Sequence, residues 1–266
     1  MKIPIILTAF GTTSKALETY SFINDKCITR FPGHEILWAY SSRMVKDWIK
    51  KKRNIDLKHP HQVIAELNGR GYPWVVVQSL HLFCGHEFYR LTEEVRQSSV
   101  RTSIGLPVLT GLEDYEMVVE GLGSDLSTFR DTAIILIGHG TDHPVWSSYL
   151  ALEAMFRSKY GDNIFMGVVE GEPSKKKIVK AVKKESFGKV RLIPFMLVSG
   201  VHFEEDLAGN EDSWKKAFES EDISVSIEKT SLGFHPCIID ILCKHISEAL
   251  DVIPVSEKRQ AKAGSV

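Results

Sequence analysis

Short apolar runs alternate with amphipathic stretches along almost the whole chain. The run at 133–137 is apolar on both faces of a strand, which is typical of a parallel sheet that is covered on both sides. We predict strands at 3–9, 35–40, 73–80, 132–138, 164–169, 189–196 and 223–227. Helical patterns lie between them, at 14–30, 43–53, 60–70, 88–98, 113–122, 144–159, 174–186, 211–219 and 236–250, and Ser42 and Ser174 are typical helix-start residues. This alternation predicts an α/β fold with mostly parallel sheets flanked by helices.

The two halves of the chain resemble each other. Residues 9–12 (AFGT) end the first strand, and residues 138–141 (GHGT) end the strand that opens the second half. Residues 79–88 similarly align with residues 194–203. We predict two similar lobes, at 1–127 and 128–254, with a cleft between them at the carboxyl ends of the strands and a polar tail at 255–266. Chance similarity between short buried strands is the alternative explanation.

Composition limits the classes of protein that the chain can belong to. It is 43% hydrophobic and 25% charged with a formal net charge of -1, which suits a soluble globular protein and gives no field to recruit nucleic acid or an anionic membrane. The four cysteines form no C-x-x-C pair, which favours a reducing compartment and the cytoplasm. The apolar residues 3–10 could belong to a signal peptide, but a buried first strand fits them better.

His139 stands between two glycines directly after a buried strand. Glycine permits unusual backbone angles and close approach of a ligand, and imidazole suits proton transfer or metal binding. A turn histidine without a role is the alternative. The arginine before the histidine that is typical of phosphoglycerate-mutase-like enzymes is missing, as is the G-x-S-x-G nucleophile elbow.

Two further strands end near ionisable residues. Glu170 ends one strand, and an apolar loop after another finishes on His202. Two imidazoles and one carboxylate suit Co(II), Ni(II), Fe(II) or Zn(II), while charge at a helix start explains Glu170 equally well. Phosphate- or cofactor-binding enzymes are rivals at this point. His143 is predicted at a helix start or in contact with the metal ligands, rather than as a ligand itself. His59 and His61 are predicted in an exposed loop before a helix, and His34, His235 and His245 have no partner pattern.

The motifs together resemble the anaerobic-type sirohydrochlorin cobaltochelatases, which are class II chelatases with a ferrochelatase-like fold. The matching segments are residues 8–12, 77–81, 138–140, 168–170, 196–202, 212–215 and 231–233. The resemblance implies that His139, Glu170 and His202 hold the metal and that His139 accepts the macrocycle protons. Val201 departs from the family, where aspartate is expected, which affects the orientation of His202.

The resemblance also implies a cleft for an octacarboxylate macrocycle. The residues expected to bind it are Phe10, Gly11, His81, Glu87, Leu197, Val198 and Ser199, with Leu82 and Phe83 as further apolar walls. Glu87 is expected to face His202. Arg43, Lys46 and residues 50–53 and 175–177 are available for the carboxylates, although a solvated helix face explains these charges as well.

The implied activity is insertion of cobalt(II), the substrate metal, into sirohydrochlorin during cobalamin biosynthesis. No phosphate-binding loop is present, so we predict that no nucleotide cofactor is needed. The alternatives are an iron or nickel chelatase, a non-catalytic haem- or metal-binding protein, and a bilobed solute-binding protein. The expected partners are the tetrapyrrole and the metal, with no nucleic acid or membrane, and a homo-oligomer is compatible with the sequence.

Overall fold

The computed structural model describes residues 2–11, 17–42, 57–126, 128–129, 131–200 and 203–252. The strands in these ranges are β1 (Ile5–Ala9), β2 (Ile36–Tyr40), β3 (Trp74–Ser79), β4 (Arg101–Gly105), β5 (Ala133–Gly140), β6 (Ile164–Glu170), β7 (Lys189–Pro194) and β8 (Ser224–Ile227). The α-helices are α1 (Leu17–Arg30), α2 (Pro60–Gly69), α3 (His86–Arg96), α4 (Leu112–Leu126), α5 (Ser147–Tyr160), α6 (Lys175–Lys184), α7 (Trp214–Glu219) and α8 (Pro236–Asp251). Short 3-10 turns at Pro144–Trp146 and Leu232–Phe234 and a π turn at Phe203–Leu207 complete the elements.

The strands form two parallel sheets with the same topology. The first sheet has the order β2-β1-β3-β4 and the second has the order β6-β5-β7-β8. In the described part of the chain, the paired strands of both sheets are all parallel. The predicted α/β fold with two similar lobes is confirmed, and the shared strand order favours duplication over chance similarity.

In each lobe, a glycine at the end of the first strand is hydrogen-bonded to a tyrosine of the following helix. Both glycines have positive φ angles: Gly11, which follows β1, has φ +111°, and Gly140, which ends β5, has φ +94°. Gly140 N–H donates to the Tyr149 hydroxyl at 3.2 Å, and Gly11 N–H donates to the Tyr20 hydroxyl. Each glycine precedes its tyrosine by the same number of residues, so the two turns are built in the same way.

All seven predicted strands are present, and an eighth was missed. The missed strand, β4, has the sequence Arg-Thr-Ser-Ile-Gly and lies at the edge of its sheet. An edge strand needs little apolar surface, so β4 carries no continuous apolar run. The first predicted strand is confirmed, and every residue of β1 is buried. The helix predicted at 43–53 lies outside the described residues.

The lobes share one apolar core. Its largest cluster combines residues of β1, β3 and α1 with residues of β5, α5 and α8. Helix α8 packs against β3 and β4 of the first sheet, and Ser103 on β4 donates to the carbonyl of Ala249 at 2.7 Å. The last helix of the second half therefore covers the first sheet. The lobe boundary near residue 128 and the tail at 255–266 stay predictions.

Two contacts join the lobes near the predicted cleft, one between polar groups and one between aromatic rings. The hydroxyls of Thr19 and Ser231 lie 3.3 Å apart in a buried position, and the rings of Phe22 and Phe234 are 5.3 Å apart. A Cβ at Gly233 would stand 2.3 Å from the Thr19 methyl group, so this contact requires glycine. In the described part of the chain, no helix is both long and apolar enough to cross a membrane.

Candidate active site

His139 lies at the carboxyl end of β5, where six buried residues in succession are followed by an exposed turn that carries the imidazole. A Cβ at Gly140 would stand 1.7 Å from the carbonyl oxygen of Glu170, and one at Gly138 would stand 2.4 Å from the Tyr149 ring. Both glycines are therefore required by close packing. Burial raises the pKa of Tyr149 to about 12, against the smaller opposing effect of the Gly140 N–H, so its hydroxyl stays neutral. This turn holds His139 firmly at the sheet edge.

Glu170 ends β6, the strand beside β5. In the register of these strands, Gly140 pairs with Glu170 and Gly138 pairs with Val168. The Cα atoms of His139 and Glu170 are therefore about 6 Å apart, from the usual strand spacing and rise. Glu170 is exposed. Of the residues that the structure describes, none makes a hydrogen bond or ion pair with its carboxylate.

Glu172, two residues further on, carries out the helix-start role that was the alternative for Glu170. Its carboxylate accepts from Ser174 N at 3.0 Å and pairs with Lys177 at 3.0 Å. The Lys177 ammonium and the Ser174 N–H lower the pKa of Glu172. Ser174 begins α6 as predicted, although its own side chain makes no capping bond. The negative charge of Glu170 is left facing solvent at the sheet edge.

The loop that carries His202 leaves β7, which lies on the other side of β5. Phe195 N–H donates to Ile137 O at 2.7 Å, and Gly233 N–H donates to Leu197 O at 2.9 Å. The chain thus runs beside the end of β5 at Phe195 and beside Gly233 at Leu197. His202 and Val201 lie outside the described residues, and within those that are described no three His, Cys, Asp or Glu side chains group at a metal-binding distance. The predicted three-ligand site stays a prediction.

The residues predicted to bind the macrocycle differ in exposure. Phe10, the counterpart of His139 in the first lobe, is 45% exposed. Leu197 is buried, whereas Gly11, Val198 and Ser199 are half-buried. The Ser199 hydroxyl is buried without a hydrogen-bond partner. The exposed phenyl ring of Phe10 can contact the face of an apolar ring, while Leu197 contributes mainly to the core.

The loop after β3 brings other predicted residues to the same side of the molecule. Phe83 packs edge-on against Tyr149 at 5.0 Å between ring centroids, and Leu82 is half-buried beside it. Glu87 lies in the first turn of α3 and pairs with Arg90 at 2.6 Å. Its predicted contact with His202 lies outside the described residues. His86 bridges the lobes, since its Nε2 lies 3.0 Å from an Asp142 oxygen.

Of the basic residues predicted to bind the carboxylates, those that the structure describes are residues 175–177, which lie at the start of α6. Lys175 pairs with Asp212 at 2.6 Å, and Lys177 pairs with Glu172. A groove of about 670 Å³ between α6 and α7 is lined by lysines, and it lies on the outer face of the second sheet rather than at the strand ends. Lys175 and Lys177 thus serve local ion pairs. Arg43, Lys46 and residues 50–53 lie outside the described residues.

The histidines set aside in the sequence have mostly structural contacts. His143 begins the 3-10 turn as predicted, and its Nδ1 accepts from Val145 N at 3.2 Å. His59 precedes α2, and His61 in the first turn pairs with Glu94. His245, which has no partner pattern in the sequence, is buried against Asp114, with Nε2 3.2 Å from an Asp114 oxygen. The separation of 131 residues between the members of that pair left no local signal in the sequence.

A family model described as "Cobalt chelatase (CbiK)" matches residues 4–251 of this chain. The chain belongs to the CbiK cobalt chelatase family. The sirohydrochlorin cobaltochelatase of Salmonella typhimurium is 29% identical over 259 residues, which cover 95% of this chain and 98% of the relative. The sirohydrochlorin cobaltochelatase CbiKC of Nitratidesulfovibrio vulgaris is 29% identical over 261 residues, which cover 94% of this chain and 91% of that protein.

Solved structures show the same fold at lower identity. SirB from Bacillus subtilis with Fe3+ superimposes with a TM-score of 0.67 at 16% identity, covering 94% of this chain and 96% of SirB. The sirohydrochlorin chelatase SirB from Bacillus subtilis subspecies spizizenii in complex with cobalt gives a TM-score of 0.64, with the same identity and coverage. For this member of the cobalt chelatase family, the likeness confirms the predicted class II chelatase fold.

Proposed function

We propose that this chain inserts cobalt(II) into sirohydrochlorin in cobalamin biosynthesis, and that it holds the metal with His139, Glu170 and His202. Membership of the cobalt chelatase family supports the reaction. The observation that carries the metal site is the register that brings His139 and Glu170 to neighbouring strand ends, both exposed. We infer that both side chains extend beyond the ends of these strands and bind one ion there.

The donor set suits the metal that is the substrate. Two imidazoles and one carboxylate bind a borderline divalent ion and leave coordination positions open for ring nitrogens. Glu170 offsets part of the charge of the dication, and its lack of another partner among the described residues keeps it available. Glu172, and not Glu170, makes the contact at the start of α6. Glu170 is therefore positioned by β6 alone.

Metallation exchanges two N–H bonds of the macrocycle for bonds to cobalt(II) and releases two protons. We assign His139 the acceptance of a pyrrole proton, since a neutral imidazole at the sheet edge can reach both metal and ring. The Tyr149 hydroxyl and the two flanking glycines fix the backbone from which His139 projects. A fixed acceptor reduces the geometric search that proton transfer needs.

The macrocycle lies between the lobes in this proposal. Phe10 offers an exposed apolar ring opposite His139, while Gly11, Leu197, Val198 and Ser199 border the same strand ends. His81 and Glu87 approach from the loop after β3 and the start of α3. No step in this scheme uses ATP, so the reaction proceeds without a nucleotide. The four free cysteines suit a reducing cytoplasm.

A visible-spectrum assay tests the proposed function. Purified protein is mixed with sirohydrochlorin and, in separate reactions, Co(II), Fe(II), Ni(II) or Zn(II), without nucleotide. We expect rapid formation of cobalt-sirohydrochlorin that exceeds the rate without protein. A preference for Fe(II) or Ni(II) would support an iron or nickel chelatase instead. Binding of the macrocycle without accelerated insertion of any metal would indicate a carrier.

A further inference from the structure

The carboxyl edge of the first sheet contains buried polar atoms without partners. Thr8 Oγ1, Ser41 Oγ and His81 Nε2 are buried and make no hydrogen bond. Thr8 lies in β1, Ser41 follows β2 by one residue and His81 follows β3 by two. The three groups thus belong to three adjacent strands of one sheet. In the described residues only Gln78 and Ser199 contribute further atoms of this kind.

The strand register brings these groups together. Thr8 pairs with Ala39 of β2 and with Ser79 of β3, and partners in parallel strands point to the same face. Ser79 Oγ in turn lies 2.8 Å from Nδ1 of His81. Ser41 N–H donates to Ala9 O at 2.9 Å, which holds Ser41 at the same edge. Gln78 is different, because its side chain points to the opposite face, toward Leu106 O.

Unpartnered buried polar atoms are rare because each loses its hydrogen bonds to water and gains nothing in return. A group of three at one edge therefore indicates a polar ligand rather than a local packing defect. The His81 residue is half-buried although its Nε2 is covered. Binding a ligand at the strand ends therefore requires a side-chain rearrangement that brings this nitrogen to it.

The hydrogen bonds of His81 define which nitrogen carries its proton. Burial lowers the pKa of His81 to about 4, so the ring is neutral at pH 7. Ser79 Oγ accepts from the backbone N–H of His81 at 3.4 Å, and we assign its hydroxyl proton to the bond with Nδ1. A neutral ring that accepts at Nδ1 carries its proton on Nε2. His81 Nε2–H and the hydroxyls of Thr8 and Ser41 are then three uncharged donors.

We propose that Thr8, Ser41 and His81 form a donor site for one peripheral carboxylate of the tetrapyrrole substrate. The proposal rests on the proposed function, since sirohydrochlorin carries eight carboxylates. Donors to an anion form charge-assisted hydrogen bonds, which are stronger than bonds between neutral groups. Uncharged donors also avoid the desolvation of a buried lysine or arginine. The site would set the rotation of the macrocycle about its own axis relative to His139.

Titration of metal-free sirohydrochlorin, followed by its absorbance, tests this site. Thr8→Val keeps the shape of the side chain and removes the hydroxyl, and His81→Leu removes the ring nitrogens. We expect each to raise the Kd for sirohydrochlorin about tenfold, the factor associated with one hydrogen bond to a charged group. His81→Gln, which retains an N–H donor at similar reach, should raise the Kd less than about threefold by the same reasoning. Thr102→Val on β4 is the matched control, because the Thr102 hydroxyl already has a partner, the carbonyl oxygen of Val100.

Two further measurements separate this role from a structural one. Thr8→Val removes an unpartnered buried hydroxyl, so its Tm should stay level or rise while the Kd rises. A lower Tm with an unchanged Kd would mean that Thr8 binds only water and would overturn the proposal. A tetrapyrrole with alkyl groups in place of the carboxylates should bind wild type and Thr8→Val equally.

The outcomes also distinguish this site from the proposed function. If the wild type binds and metallates sirohydrochlorin and Thr8→Val and His81→Leu bind it equally well, the carboxylate site is wrong and the chelatase assignment stands. If the wild type does not bind sirohydrochlorin, both fail. The Co(II) absorption spectrum without macrocycle should be the same for all of these variants, because none of them changes a metal ligand.

Discussion

The hydroxyl of Tyr149 accepts a hydrogen bond from the backbone of Gly140, the residue after His139. Tyr20 and Gly11 repeat this contact in the first lobe, where Phe10 takes the place of His139. The two lobes thus present the same rigid turn with different side chains. Under the proposed function, the imidazole of one turn binds the metal and the exposed phenyl ring of the other contacts the face of the macrocycle.

Gly140→Ala should disrupt this turn. The residue has φ +94°, and a Cβ would stand 1.7 Å from the Glu170 carbonyl oxygen. We expect a loss of more than about 2 kcal/mol in the free energy of unfolding, from left-handed strain and the clash, together with loss of cobalt insertion. Gly188→Ala is the control, since nothing lies within 4 Å of its Cβ. Urea denaturation and the insertion assay measure both effects, and a stable, active Gly140→Ala would contradict the role of the turn.

His139→Ala should abolish insertion and leave macrocycle binding intact. Loss of a proton acceptor typically lowers a rate by about 100-fold or more, while ring binding depends on other groups. His139 is exposed, so the fold should tolerate the change. His61→Ala, an exposed histidine on α2, is the control. Separate titrations of sirohydrochlorin and Co(II), followed by mixing, check the prediction. Insertion by His139→Ala at the wild-type rate would refute the mechanism.

Glu170→Gln should weaken metal binding more than ring binding. The variant keeps the size of the side chain but removes the charge that offsets the dication, so we expect the Kd for Co(II) to rise about tenfold. Glu172→Gln is the matched control two residues away, where the carboxylate contacts Ser174 and Lys177. It should alter α6 and leave the Kd for Co(II) unchanged. Equal effects of the two variants on cobalt binding would argue against Glu170 as a ligand.

The rate of cobalt insertion should fall steeply between about pH 8 and pH 5, where ordinary imidazoles take up a proton. Histidine ligands bind metal only when neutral. His81 behaves differently, because its pKa of about 4 keeps it neutral throughout this range. Acid should therefore raise the Kd for Co(II) while the contribution of His81 to sirohydrochlorin binding persists. A rate that is constant over this range would contradict histidine ligation.

Asp114→Asn should destabilise the fold at pH 7 and much less in acid. Burial favours a higher pKa for Asp114, but hydrogen bonds from Gly111 and Lys244 and the charge of His245 outweigh it and lower the pKa. Removing one member of this buried network should cost about 3 kcal/mol in the free energy of unfolding.

The sign of the pH dependence of Asp114 follows from the lowered pKa. Its stabilising effect is fully present above the ordinary aspartate pKa and is lost as the pH falls through the folded-state value. The difference between the unfolding free energies of wild type and Asp114→Asn should therefore shrink in acid. Denaturation curves at several pH values measure it, and a difference that grows in acid would contradict this account.

The sequence predicted those parts of the protein that depend on local patterns. Strands such as β5 and β6 consist of continuous apolar runs, and the turn at His139 carries its own glycines. β4 was missed because a polar edge strand has no such pattern. The metal-ligand candidates came from motif resemblance added to strand-end positions, since neither periodicity nor spacing alone excludes a turn histidine.

The sequence by itself determined the alternation of strands and helices, the family motifs and the glycine turn at His139. Only the tertiary structure decided that Glu172 starts α6 and leaves Glu170 available, that α8 covers the first sheet, and that Thr8, Ser41 and His81 share one edge. The physical reason is the range of the interactions. Local periodicity reports which face of an element is apolar, whereas strand order, close contacts and the partners of buried polar groups depend on residues far apart in the chain.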